Sequence, residues 1–70
     1  MAEYITNTVY ALRTKKGLTQ EDLAEKIGVT RQTVISIEKG NYTPSVLLAL
    51  KVASVFKVPL EEIFHISHDK

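Results

Sequence analysis

Apolar residues recur at helical spacing through most of this chain, and glycines and prolines cut that pattern into short pieces. Ile5, Val9 and Leu12 stand at i, i+4 and i+7, which predicts an amphipathic helix over roughly residues 6–16. A second helix from about Gln20 to Ile27 turns Leu23, Ala24 and Ile27 inward, and a third from about Arg31 to Lys39 does the same with Val34 and Ile37. Ser45 is placed to cap a fourth, VLLALKVASVF, whose dense apolar positions predict the most buried element. LEEIF after Pro59 reads as a fifth, because proline at a helix start lacks only an amide hydrogen that would be unpaired there anyway. Gly17, Gly28, Gly40, Pro44 and Pro59 are the boundaries, and the expected fold is a compact all-α bundle of five helices, one domain over residues 1–70. The ends leave two outcomes open. Glu3-Tyr4-Ile5 and Phe64-His65-Ile66-Ser67 alternate and carry aromatic or β-branched residues, so they either pair as a small two-stranded sheet or fray.

The most informative stretch is residues 18–41, two capped helices joined by a tight turn. The Thr19 hydroxyl can accept from an orphan backbone amide, and Asp22 three residues on completes a capping pattern. Gly28 suits the left-handed position that ends the first helix, and Thr30 caps the second. At about 100° per residue, Gln32, Ser36 and Lys39 lie about 140–200° from Val34, forming a polar stripe opposite the core side, with Thr33 toward its edge. Arg31 is off the stripe's centre but on the first turn, the place from which such a helix touches base edges in a major groove. Arginine pairs with guanine O6/N7 and glutamine with adenine N6/N7, each good pair giving about 1–3 kcal/mol of discrimination, which makes Arg31 and Gln32 the leading candidate base readers. Ile35, an apolar residue at the flank, is open to three roles, touching a thymine methyl, approaching a partner subunit or bordering the fourth helix, of which the last is the simplest.

Charge sharpens this picture only when followed along the chain. The net charge of +1 is small, but residues 29–57 set four bases (Arg31, Lys39, Lys51, Lys57) against Glu38 alone. Residues 1–28 are balanced, and residues 58–70 carry an excess of acids. The positive surplus thus falls in and after the reading helix. The absence of cysteine removes disulfides, thiolate metal sites and a cysteine nucleophile, and fits a reducing cytoplasm. Neither a signal peptide nor a membrane-spanning run is indicated, so the expected location is cytoplasmic.

The residues GLTQEDLAEKIGVTRQTVISIEKGNYTPS closely resemble the phage repressor and Cro type of helix-turn-helix, the XRE family of bacterial and archaeal regulators. The likeness runs from Asn7 and Leu12-Arg13 through LTQEDLA and IEKG to LEEIF, and is most like the minimal single-domain members, which lack a sensor domain. The resemblance implies a five-helix, lambda-repressor-like bundle that binds double-stranded DNA as a dimer, by default as a repressor that occludes a promoter. It implies that Arg31, Gln32, Thr33 and Ser36 face bases. Gln20 at the start of the second helix, with Thr19 beside it, would hold a phosphate, and Lys39, Asn41 and Tyr42 would lie along the backbone. Arg13 and Glu38 match a pair that forms a buried salt bridge. Val58, Leu60, Phe64 and Ile66 are the candidates for the dimer contact, which would set two recognition helices about 34 Å apart on half-sites one helical turn apart.

Other classes find less support. His65 and His68 stand at i, i+3 with only Asp69 nearby, a poor metal set, and no phosphate loop, H-E-x-x-H motif or nucleophile-base spacing occurs, so neither an enzyme nor a bound cofactor, metal or small-molecule ligand is expected. An antitoxin-like module that binds a partner protein as well as DNA, and a transcriptional activator, are the readings that remain beside the repressor. A large exposed apolar patch away from the third helix and from any homodimer seam would favour the first.

Overall fold

A computed structural model describes residues 3–68. The elements run β1 (Glu3–Asn7), α1 (Val9–Lys15), α2 (Gln20–Ile27), α3 (Arg31–Glu38), α4 (Val46–Phe56), a single 3-10 turn at Leu60–Glu62, and β2 (Phe64–His68). The all-α, five-helix expectation is therefore right only in part: there are four α-helices, and the two ends pair as an antiparallel sheet in the register Glu3↔His68, Ile5↔Ile66, Asn7↔Phe64.

The sheet accounts for both departures from the expected helices. Residues 3–7 use their backbone groups in the ladder, so α1 starts at Val9 and Ile5 lies in a strand instead of on that helix. The Asn7 carboxamide marks the change of direction, its Oδ1 accepting from the Val9 amide at 3.1 Å while its Nδ2 donates to the Ile37 carbonyl at 2.9 Å. At the other end, the Thr8 amide donates to the Ile63 carbonyl at 2.9 Å and the Thr8 hydroxyl to the Glu62 carbonyl at 3.1 Å. The Glu62 and Ile63 amides close 3-10 bonds to the Pro59 and Leu60 carbonyls and Phe64 pairs with Asn7 in the ladder, so the expected fifth helix is one turn and the chain extends into β2.

Side chains from every helix and from the 3-10 turn's end meet in one core of Val9, Leu23, Ala24, Ile27, Val34, Ile37, Leu48, Val52, Phe56 and Ile63. Val34, Val52 and Ile63 are completely enclosed. The expectation that α4 would be the most buried element holds for one of its faces. Leu48, Ala49, Val52 and Phe56 point inward, whereas Val46, Leu47 and Leu50 are exposed at 74%, 66% and 51%. Apart from Lys51 and Ser54 the helix is apolar, more so than one face can bury, and the elements that contact it most, α2 and the 3-10 turn, leave Val46, Leu47 and Leu50 uncovered.

The helix ends mostly follow their capping signals. Ser45 accepts from the Leu48 amide at 3.1 Å. The exception is Lys57, which ends α4 at φ +57° and is the one non-glycine residue with positive φ among those described. An L side chain in the left-handed region costs about 1–2 kcal/mol, part of which glycine gives back through its freer unfolded chain. Lys57→Gly is expected to raise stability by about 0.5–1 kcal/mol, measured as a higher midpoint in thermal or urea unfolding; an unchanged or lower midpoint would show that Lys57 makes a compensating contact.

Candidate nucleic-acid interface

The α2–α3 pair is built by three local devices in sequence order. The Thr19 hydroxyl accepts from the Asp22 amide at 3.0 Å and the Asp22 carboxylate accepts from the Thr19 amide at 2.9 Å, a reciprocal capping box. These bonds hold the Asp22 carboxyl below its ordinary pKa, the backbone bond being the larger cause. Gly28 then turns the chain at φ +74°, a conformation open to glycine at no steric cost. Thr30 starts α3 by accepting from the Thr33 amide at 3.3 Å, and the two hydroxyls lie 3.2 Å apart.

α3 buries Val34 and Ile37 against the core. Arg31 and Gln32 on its first turn are exposed, and Thr33, Ile35 and Ser36 are half-buried. Lys39, Asn41 and Tyr42 are exposed on the loop that follows. Thr19 is exposed and Gln20 half-buried at the start of α2. Of the other residues singled out from sequence, Val58, Leu60 and Phe64 are half-buried, with Val58 and Phe64 packed against the core, and Ile66 is 66% exposed. His65 and His68, three apart in a strand, point to opposite faces of the sheet. His68 Nδ1 lies 3.6 Å from Glu3, and Asp69 falls outside the described residues.

Behind the α3 surface sits an ion pair. Arg13 Nε donates to Glu38 at 2.6 Å and the same guanidinium donates again to the second oxygen at 3.2 Å, with side chains 9% and 6% exposed. A third bond from Arg13 reaches the Leu18 carbonyl at 2.9 Å, so α1, the α1–α2 connection and the end of α3 are tied to one group. The bond to Glu38 raises the guanidinium above its already high pKa, against the opposing effect of burial. Glu38 also accepts from Gln20 Nε2 at 3.2 Å, which fixes one hydrogen of that amide and leaves the other free. Tyr10 stacks over the guanidinium, its ring centroid 5.2 Å from the arginine carbon. Sequence reasoning missed both the Gln20–Glu38 bond and Tyr10; the i, i+3 spacing of Tyr10 and Arg13 on one helix was the available signal for the second.

Residues 9–63 match the Helix-turn-helix family. The chain belongs to it. It is similar to the HTH-type transcriptional regulator YgzD of Bacillus subtilis, with 49% identity over 90% of this chain and 96% of that protein. It is also 36% identical, over 74% of this chain and 47% of that protein, to the transcriptional repressor RstR of the cryptic phage CTXphi from Vibrio cholerae. Among solved structures, the restriction-modification controller protein C.AhdI from Aeromonas hydrophila superposes with a TM-score of 0.72 and 37% identity, over 77% of this chain and 82% of that one. This XRE-type chain is thus a transcriptional regulator with a helix-turn-helix DNA-binding fold. Among its described residues no helix is long and apolar enough to cross a membrane.

Two consequences of the regulator's wiring can be measured. Arg13→Ala strands Glu38 in the interior and should cost about 3–5 kcal/mol, while the joint replacement Arg13→Met with Glu38→Leu should cost far less; equal losses in urea unfolding would mean that the charge pair itself supplies the stability. For Asp22, the lowered carboxyl pKa makes its stabilising effect complete above the ordinary value of 3.8 and lost as pH falls through the lower folded-state value. Asp22→Asn should accordingly flatten the acid limb of the stability–pH curve, and an unaltered slope would remove the carboxylate from that limb.

Proposed function

We propose that this chain is a homodimeric, sequence-specific repressor of the cytoplasm that blocks a promoter by laying the start of α3 in the major groove of a pseudo-palindromic operator. The observation that carries this reading is the exposed first turn of α3, with Arg31 and Gln32 standing clear on a helix whose opposite side is locked into the core. Arg31, Gln32, Thr33 and Ser36 read bases, Thr33 through a hydroxyl that already shares a hydrogen bond with Thr30. Thr19, Gln20, Lys39, Asn41 and Tyr42 hold phosphates and set the register. Gln20 suits this role because its amide is oriented by Glu38 with one donor to spare, at the positive end of α2. The repressor sense takes support from the relative RstR, named as a repressor.

Selection of bound sequences from a randomised duplex library at near-physiological salt tests the reading. A pseudo-palindrome with half-sites about 10 base pairs apart is expected; retention that is only salt-sensitive and sequence-blind would overturn it. On the selected site, Arg31→Ala should cost about 1–3 kcal/mol and relax preference at one base pair, whereas Lys39→Ala should weaken all duplexes alike and reduce the salt slope by about one. An equal loss on every sequence from Arg31→Ala would make that residue a phosphate contact.

A further inference from the structure

We infer that the cleft between the end of α1 and the end of α4 is a docking site for an acidic segment of a partner protein, one that carries an apolar side chain between carboxylates. The inference stands apart from the repressor reading and uses none of its base or phosphate contacts. The cleft holds about 320 Å³ and is lined by Leu12, Lys15, Lys16, Phe56 and Val58. Leu12 and Val58 are half-buried against the core and Phe56 is 8% exposed, so the floor is apolar. Lys15 and Lys16 are exposed. A lysine beside apolar surface lays its methylene stem along it and keeps its ammonium in water.

Charge complementarity selects the occupant. Neither ion pair among the described residues includes a lysine, so Lys15 and Lys16 have no carboxylate partner there. The residue between Phe56 and Val58 is a third base, Lys57, exposed and held at φ +57° where glycine would sit without strain. Strained residues of this kind cluster at ligand-holding surfaces. A partner that meets three bases beside an apolar floor needs carboxylates at its rim and one apolar side chain at its centre. The DNA backbone would answer the lysines and leave the floor uncovered. The position also separates this face from the reading helix. Arg13 points to Glu38 on α3, whereas Leu12 and Lys15 lie about 100° and about 160° round α1 from it, on the flank turned to the end of α4. A protein segment seated here leaves the exposed first turn of α3 open.

The test is titration of the full chain with a fluorescent synthetic peptide, one phenylalanine flanked on both sides by glutamates, with methyl NMR of Leu12 and Val58 to place it. Binding that shifts both sets of methyl signals and weakens as salt is raised is expected. Replacing the peptide's phenylalanine by alanine should weaken binding about tenfold, and Lys15→Gln with Lys16→Gln about fivefold with unchanged circular dichroism. Should those changes disturb the end of α1, Lys57→Gln leaves that helix alone and is expected to weaken the peptide about twofold. A peptide that binds no better than its counterpart with lysines in place of the glutamates, or that leaves the Leu12 and Val58 methyls unmoved, overturns the proposal. So does a shift of the same methyls by a duplex of arbitrary sequence, or by raising the concentration of the protein alone, which would give the cleft to DNA or to a second copy.

Discussion

The position of α3 depends on one buried guanidinium. Arg13 is held by Glu38 through two hydrogen bonds and by the Leu18 carbonyl through a third, so a single side chain from α1 fastens the end of α3 and the approach to α2. A buried ion pair adds little net stability compared with an apolar filling of the same space. Its value here lies in geometry, because hydrogen bonds of fixed direction hold α3 at one rotation about its axis, which hydrophobic contact alone specifies loosely. The same carboxylate takes up one hydrogen of Gln20, carrying that rigidity from the interior to the start of α2. A group at the surface is thereby oriented before anything binds, and less ordering has to be done on association.

The terminal sheet performs a comparable service for the opposite side of the domain. Pairing of β1 with β2 joins the two chain ends, and the Thr8 bonds to Glu62 and Ile63 lock α1 to the 3-10 turn. A lone two-stranded ribbon is marginal in water. This one persists because Phe64 packs against the core and because Ile63, immediately before the strand, is completely enclosed. In a core this small, close to the lower limit for one without cross-links, such pairing fastens α1 to the 3-10 turn.

The two faces of α4 divide the labour of the same apolar sequence. Leu48, Ala49, Val52 and Phe56 complete the interior, and Val46, Leu47 and Leu50 are left over. A helix this rich in apolar residues ordinarily buries most of its surface, and the elements around α4 are too few to cover it. The surplus therefore lies on the surface, next to the loop that leads away from α3.

Local signals in the sequence determined the helix-turn-helix almost completely. Thr19 with Asp22, Gly28 and Thr30 each satisfy backbone groups within three or four residues, so their effect is decided by near neighbours and can be read without knowing the fold. The inward-facing Leu23, Ile27, Val34 and Ile37, and the exposure of Gln32 opposite the last two, follow from helical periodicity alone, while Arg31 is exposed because it stands on the first turn of its helix. What only the tertiary structure decided are the outcomes that depend on distant partners. LEEIF has the composition of a helix, yet Phe64 pairs with Asn7, more than fifty residues away in sequence, and Thr8 bonds the Glu62 and Ile63 carbonyls, so the chain becomes a turn and a strand. The same holds for Ile5, drawn from a helical pattern into β1 by Ile66, and for Gln20, whose bond to Glu38 joins two helices. The covered side of α4 follows from periodicity, since Lys51 and Ser54 lie away from Leu48, Val52 and Phe56, whereas the tertiary structure decided that Val46, Leu47 and Leu50 stay uncovered.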